Sequence, residues 1–514
     1  MDESPRSLFG RFHTLAFLVI FIAAIGIRLY DLTDLPLDFH PTRQLFSALK
    51  ARGMYYETLP NAPAEQREFA IQQGKLRATI EPEMLERLTV FTWKFTGERL
   101  WVARIYSSLF WLIGGIFLYL LARDLFSNDA ALFTAAFYLL LPYAVIASRS
   151  FQPDPLMVAL IVGFWWAVNR WAQFLTQPFG HPSPEIGRGA GVRAMLLASL
   201  LGGLAIFVKL NAAFFVIGGA LGATLGRASV RDLLRNKQVW TMAALGILPG
   251  LGWVVYGLSR GFLGQQFGGR FLPELFLSPN FYLGWAQMLD NVLELFPFAL
   301  ALLGLLLVTD KPTRTFLLGL WAAYLAFAIF FDYHISTHDY YSLPLVPIAA
   351  LALTPLADAI LVRMTEAATQ SRVTRALSAS ILTLCLLAAL WTSRAALKST
   401  DYRPQAAFWD QIGETVRGHR VVALTQEYGL PLAYWGWTGA ANWPDSSDIE
   451  YHALRGANAS FEKSFERLTK NKDLFLVTDL ADLKRQPDLQ ERLSEFPIFA
   501  QGDGYIIYNL QNPH

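Results

Sequence analysis

Cysteine is all but missing from this 514-residue chain: the single one, Cys385, lies inside an apolar run. That leaves no disulfide framework and no thiolate metal site. Charge is scarce as well. Only 16% of residues are Asp, Glu, Lys or Arg, against about 25% in a soluble domain. The formal net charge of +2 says little about partners, and no nucleic-acid partner is expected. No Walker loop, HExxH or GxGxxG is present, and no nucleotide site follows from motifs. Repeats of 20–50 residues and low-complexity segments are absent too.

What the chain has instead is hydrocarbon. It is 54% hydrophobic with 38 Phe, and its mean hydropathy is +0.32. A membrane span needs about 20 mostly apolar residues. Eleven candidate segments fit, near 13–29, 101–122, 130–148, 155–173, 194–208, 212–226, 239–258, 294–309, 316–332, 341–360 and 376–393. No small-residue cleavage site follows the first, which reads as a retained span. The fifth and sixth meet in a tight turn at Lys209. With the N-terminus inside, the inner segments carry Arg6, Arg11, Arg123, Arg170, Arg188, Arg193, Arg227, Arg231, Arg235, Lys237, Lys311, Arg314, Arg363, Arg372 and Arg375, while the short outer loops carry only Arg149, Lys209, Arg260 and Arg270. The bias predicts a cytoplasmic N-terminus, and an odd number of spans puts the C-terminal segment outside.

Two regions result: a transmembrane domain over 1–393, with a polar first outer loop at 31–98 helical near 43–57 and 81–95, and a soluble extracytoplasmic domain over 394–514. In the latter "RVVALTQ", "DLFLVTDL" and "YIIYNL" read as strands and "FEKSFERLTKN" as an amphipathic helix. The fold class is mainly α, a polytopic helix bundle with a small α/β tail.

Polar residues beside the spans gather on the outer face. Asp38, His40, Arg43 and Gln44 follow the first span; "SRSFQPDP" supplies Arg149 and Asp154; Lys209 and Asn211 end the fifth; "DYHISTHDYY" supplies Asp332, His334, His338, Asp339, Tyr340 and Tyr341. Ionisable groups near hydrocarbon are costly and lean functional. A carboxylate can take a proton from an acceptor, while Lys, Arg and Tyr can hold a phosphate. Each has a plainer alternative: Asp38 could cap the next helix, Asp154 could merely terminate the fourth span, Lys209 could snorkel, Arg43 could pair with Glu57 or another loop acid, and Tyr341 could belong to an aromatic belt. His334 and His338 have a spacing that binds metal on a helix, but "ISTHD" is not expected to be helical. Trp435, Trp437 and Trp443 could form a sugar platform or simply pack. "NAS" at 458–460 is a formal glycosylation acceptor.

Together these pieces resemble the GT-C-type integral-membrane glycosyltransferases, in particular the dolichyl-phosphate-mannose protein mannosyltransferases and the lipid A aminoarabinose transferases. The likeness lies in residues 100–160, with Arg104, "ARDLF" and the Pro142–Asp154 stretch, in "LGGLAIFVKLNAAFF" (201–215) and in "HDYYSLPLVPIAALAL" (338–353). It implies a sugar passed from a polyprenyl-phosphate donor to an acceptor at the outer face of the cytoplasmic membrane, with inversion. Asp38 and Asp154 would be the catalytic carboxylates; Lys209, Arg43, His338 and Tyr340 would meet the donor phosphate; His40, Arg149 and Tyr341 would be further substrate contacts. A divalent metal is possible but not required, and no other cofactor is implied. The sequence departs from its relatives in one respect. Where they carry two adjacent acids after "HP", it has Thr42 and Arg43, which leaves Asp38 as the loop's base with Asp154 as the alternative. The rival reading is a transporter or flippase, for which charges near the bilayer midplane and paired repeats are expected.

Overall fold

Membrane-spanning helices dominate the molecule. The computed structural model describes residues 7–176, 185–263, 271–456 and 460–511; Arg6, Arg270 and the "NAS" acceptor lie outside the described residues. Two compact units are present, Met1–Leu32 with Thr79–Leu85 and Ala103–Ser399, and Thr33–Ala78 with Glu86–Val102 and Thr400–His514.

In the first unit, all eleven apolar segments are helical. Among the described residues eight helices are long and apolar enough to span, and a ninth arises if Pro279–Leu293 and Leu295–Leu306, bent by 88°, count as one. The difference from eleven has local causes. Segment 130–148 breaks at Leu141, whose ψ of 126° is the extended conformation that a following proline imposes. Pro142–Ala147 then starts afresh with proline in its first turn. Ala212–Leu225 has 14 residues, about 21 Å of helix against a hydrocarbon core of about 30 Å. Glycines let that short helix press against Lys311–Phe330. A Cβ on Gly218 would stand 2.5 Å from the Ala323 Cβ, and one on Gly222 would stand 2.8 Å from the Phe316 carbonyl. This is the small-residue packing of membrane helices, where close backbone approach replaces the hydrophobic drive. Arg372–Leu397 buries only 6% of its most apolar window and needs lipid to cover it. The protein is a multi-pass integral membrane protein.

The second unit joins the first polar loop to the tail. Pro41–Glu57, Ala64–Leu76 and Met84–Thr96 are its helices before the tail, one more than the sequence suggested. The first two cross where Gly53 meets Gly74, leaving no room for a Cβ beyond 3.0 Å. The Asp34 carboxylate accepts from the Tyr402 backbone N–H at 3.2 Å. The tail carries a mixed sheet of β1 (Val421–Leu424), β2 (Ala440–Asn442), β3 (Leu474–Val477), β4 (Ile498–Gly502) and β5 (Tyr505–Asn509), ordered β2-β1-β3-β5-β4. β1 runs parallel to β2 and β3, while β5 is antiparallel to β3 and β4. Apolar cores cover both faces: Val421, Ala423 and Leu476 pack with Trp409 and Ile412, while Val422, Phe475 and Val477 pack with Phe465 and Leu489. That is why β1 and β3 read as unbroken apolar runs.

Candidate active site

In the first unit, two helix ends meet. Asp154 opens Asp154–Ala172, and Lys209 follows Glu185–Val208. The Lys209 ammonium lies 2.8 Å from Asp154 Oδ1, with both side chains largely buried. It also stands 5.4 Å from the Tyr340 ring centroid and 5.7 Å from that of Tyr341, within the range of a cation–π contact. Lys209 therefore does not simply snorkel. Lysine ammonium groups bind phosphate as point charges, and here two aromatic faces and one carboxylate fix where that charge sits.

The segment carrying the tyrosines is tightly braced. Tyr341 stacks on Phe327 with centroids 5.9 Å apart, and the Tyr143 hydroxyl donates to Asp339 Oδ1 at 3.0 Å. His338 Nδ1 and the Thr337 hydroxyl are 2.7 Å apart, and the His338 ring meets that of Tyr340 edge-on at 5.8 Å. Asp332–Thr337 is a short helix that takes in the Ile335–Thr337 part of "ISTHD", against the sequence expectation, while His338 lies past its end in extended backbone. Its first-turn acid accepts from the backbone N–H groups of Tyr333 and Leu272, each at 2.7 Å, and the Ser336 and Thr337 hydroxyls bond back to the preceding turn. Asp332 is thus structural. The His334 and His338 rings stand 5.6 Å apart, but no group of three or more His, Cys, Asp or Glu among the described residues is placed to hold a metal.

Arg149 is buried and donates to the Asp31 carbonyl at 2.8 Å. Arg28, also buried, donates to Ser148 Oγ at 2.9 Å, so the first span holds the same outer connection. Gln152 went unremarked in the sequence: it is 1% exposed, and neither amide atom finds a hydrogen-bond partner among the described residues. Burying such an amide is costly unless a ligand or water completes it. Only its place between Arg149 and Asp154 hinted at it.

Asp38, His40 and Arg43 belong to the second unit. His40 caps Pro41–Glu57 from the left-handed region (φ 43°), a conformation uncommon outside glycine. The buried Gln44 amide donates to the Phe39 carbonyl at 2.7 Å and faces Asp38 Oδ1 at 3.4 Å, so Asp38 is held on a short, self-bonded loop. Thr42 Oγ1 donates to Glu427 Oε2, a tail residue that no sequence pattern marked. Nearly three helical turns beyond Thr42, Arg52 is ion-paired with Glu98 at 2.8 Å and sandwiched by Tyr434 (3.6 Å) and Trp437 (4.4 Å). Burial alone would lower the basicity of Arg52, but Tyr434 and Glu98 outweigh it and raise it. Burial, and then Glu98, push the Tyr434 phenol well above its ordinary value. Trp437 is thus engaged by Arg52, and Trp443 is buried against Phe465 and Phe475; packing, the plainer reading, describes both.

Residues 81–256 match the family model of the dolichyl-phosphate-mannose-protein mannosyltransferases. The match spans about a third of the chain, and over that stretch the chain is similar to this family of membrane glycosyltransferases. No sequence among curated proteins matches it. Among solved structures, the chain is similar to ArnT from Cupriavidus metallidurans in the apo state, at 14% identity and a TM-score of 0.59 over 96% of this chain and 98% of that one. ArnT bound to undecaprenyl phosphate gives 14% and 0.58 over 96% and 97%. AglB from Archaeoglobus fulgidus, in complex with an inhibitory peptide and a dolichol-phosphate, gives 13% and 0.52 over 97% and 74%. At these identities the likeness establishes a shared fold, the GT-C bundle with its trailing domain.

Proposed function

We propose that the transferase takes a sugar from a polyprenyl-phosphate donor and transfers it, with inversion, to an acceptor at the extracytoplasmic face of the membrane. The observation that carries this reading is the buried Asp154–Lys209 pair beneath Tyr340 and Tyr341. In it Lys209 receives the donor phosphate, with His338 and Tyr340 beside it. Arg43 adds a second cation from the first loop. The lipid phosphates bound in ArnT and AglB are ligands of this chemistry. As the acceptor oxygen bonds to the anomeric carbon, the bond from that carbon to the phosphate oxygen breaks. The acceptor proton goes to Asp38, and the electron pair leaves with the polyprenyl phosphate. Asp154 orients Lys209; His40, Arg149 and Tyr341 contact the sugar or acceptor. Charge leaving on phosphate is what a fixed ammonium stabilises most.

The test supplies radiolabelled polyprenyl-phosphate sugars to membranes holding the wild type, Asp38→Asn or Lys209→Ala at matched expression. Transfer by the wild type, with losses on the order of 100-fold or more in both variants, supports the reading. Undiminished transfer by Asp38→Asn removes it as base and leaves Asp154.

A further inference from the structure

We infer that Glu427 is a positioning residue of the transferase, a carboxylate by which the C-terminal domain sets the conformation of the first-loop segment 38–44; the inference rests on the proposed reading, in which that segment carries the base. The starting observation is strain. Glu427 and Tyr428 both occupy the left-handed region, at φ 55° and 56°, and Gly429 follows at φ 71°. Glycine takes this conformation at no steric cost, but in the other two it is strained and persists only where the surroundings over-determine it.

The surroundings do so from three directions. Ahead of the turn, the Gln426 amide donates to the Thr478 carbonyl at 3.0 Å and accepts from the Thr478 hydroxyl at 2.7 Å, which fixes it to the end of β3. The Tyr428 hydroxyl donates to Asp448 Oδ1 at 3.2 Å. Between them the Glu427 carboxylate accepts from Thr42 Oγ1. Three of these bonds stay within the tail. The fourth leaves it for the first turn of Pro41–Glu57, two residues after His40, itself in the left-handed region. The tail could avoid the strain with glycine at 427 or 428, as it does at 429. Keeping it buys nothing for the sheet, whose nearest strand, β1, already ends at Leu424. What the turn delivers is a carboxylate to the N-terminal turn of the helix, where the dipole favours negative charge and where His40 and Arg43 lie within three residues. The acceptor that anchors Thr42 thereby anchors the backbone carrying Asp38, His40 and Arg43.

Because Glu427 acts through Thr42, its loss changes turnover more than binding. The test compares Glu427→Ala, Glu427→Gln, Thr42→Ala, Thr42→Ser and the Glu427→Ala/Thr42→Ala pair in the full chain, with a polyprenyl-phosphate sugar as donor. Each alanine variant is expected to lower kcat on the order of 10–100-fold while leaving the donor KM within about threefold. Gln and Ser keep an acceptor and a donor and should recover most of the rate, and the double variant should fall no lower than either single. Hydrogen exchange should rise in 38–44 for Glu427→Ala with β1 and β3 still protected. Wild-type turnover in Glu427→Ala, unchanged exchange in 38–44, or a Glu427→Gln as poor as Glu427→Ala would each overturn the positioning role alone. A wild type that transfers no polyprenyl-phosphate sugar overturns the underlying reading, and the inference with it.

Discussion

Single side chains decide how firmly the pieces of each unit are held. Arg52 is the clearest case. Its planar guanidinium is stacked by two aromatic faces while it pairs with Glu98, and lysine has no plane to offer there. Arg52→Met leaves the Glu98 carboxylate with the Tyr434 hydroxyl alone. Breaking a buried pair from one side costs about 3–5 kcal/mol, so this variant is expected to unfold its unit well below the wild-type temperature in a detergent melt, and Arg52→Lys is expected to fall between. A surface pair behaves differently. The Arg420 side chain, and then its backbone N–H, hold the Asp473 carboxyl well below the usual carboxylate range. A depressed acid stabilises the fold above its unfolded value, about 4, and loses that contribution as pH falls through the folded one. Asp473→Asn should therefore melt below the wild type at pH 7, and the gap between them should narrow as pH drops below about 4. A gap that widened instead would contradict the assignment. Sequence reading found neither pair, because partners separated by 46 and 53 positions leave no local pattern. It did find Asp154 and Lys209, because a charge at the end of an apolar run stands out without knowledge of its partner.

At the level of elements, packing between membrane helices rests on glycine. Gly218 and Gly222 of Ala212–Leu225 face Gly319 and Phe316 of Lys311–Phe330 so closely that a Cβ on Gly319 would lie 2.6 Å from the Gly218 carbonyl. The obstacle is backbone, which cannot swing aside as a side chain can. Gly222→Leu is expected to part the two helices and to lower the yield of monodisperse protein in detergent, whereas Gly252→Leu, with nothing within 4 Å of its added Cβ, should be tolerated. Size-exclusion profiles of the two variants check this. Span positions were legible from hydropathy because lipid demands a long apolar run. Span lengths were less so: the proline at 142 ends a helix that composition alone carried through, and the Glu294 kink (φ 59°) has no signature in hydrophobicity. The start of "ISTHD" was misjudged for a related reason. Ser336 and Thr337 compete with the backbone in general, yet here they bond back along the helix.

The molecule as a whole makes one unit from two distant stretches of sequence. The first loop and the tail are separated by some three hundred residues, yet Asp34 accepts from Tyr402, Thr42 donates to Glu427, and Arg52 sits between Tyr434 and Trp437. A boundary drawn near 393 follows the change in composition, which is what a sequence displays; it cannot display that the polar loop folds against the polar tail, since both look alike in hydropathy. The consequence is testable by removing residues 400–514. The shortened chain keeps every candidate span, so membrane insertion is expected to survive. Its first loop, though, loses the aromatic faces around Arg52 and the acceptor for Thr42. Limited proteolysis should then cut within 41–76, where the intact chain resists, and transfer should fall to background although Asp154, Lys209, Tyr340 and Tyr341 remain. A shortened chain whose loop stayed resistant would mean that the helices Pro41–Glu57 and Ala64–Leu76 are held by their own glycine crossing, and that the tail serves some other purpose.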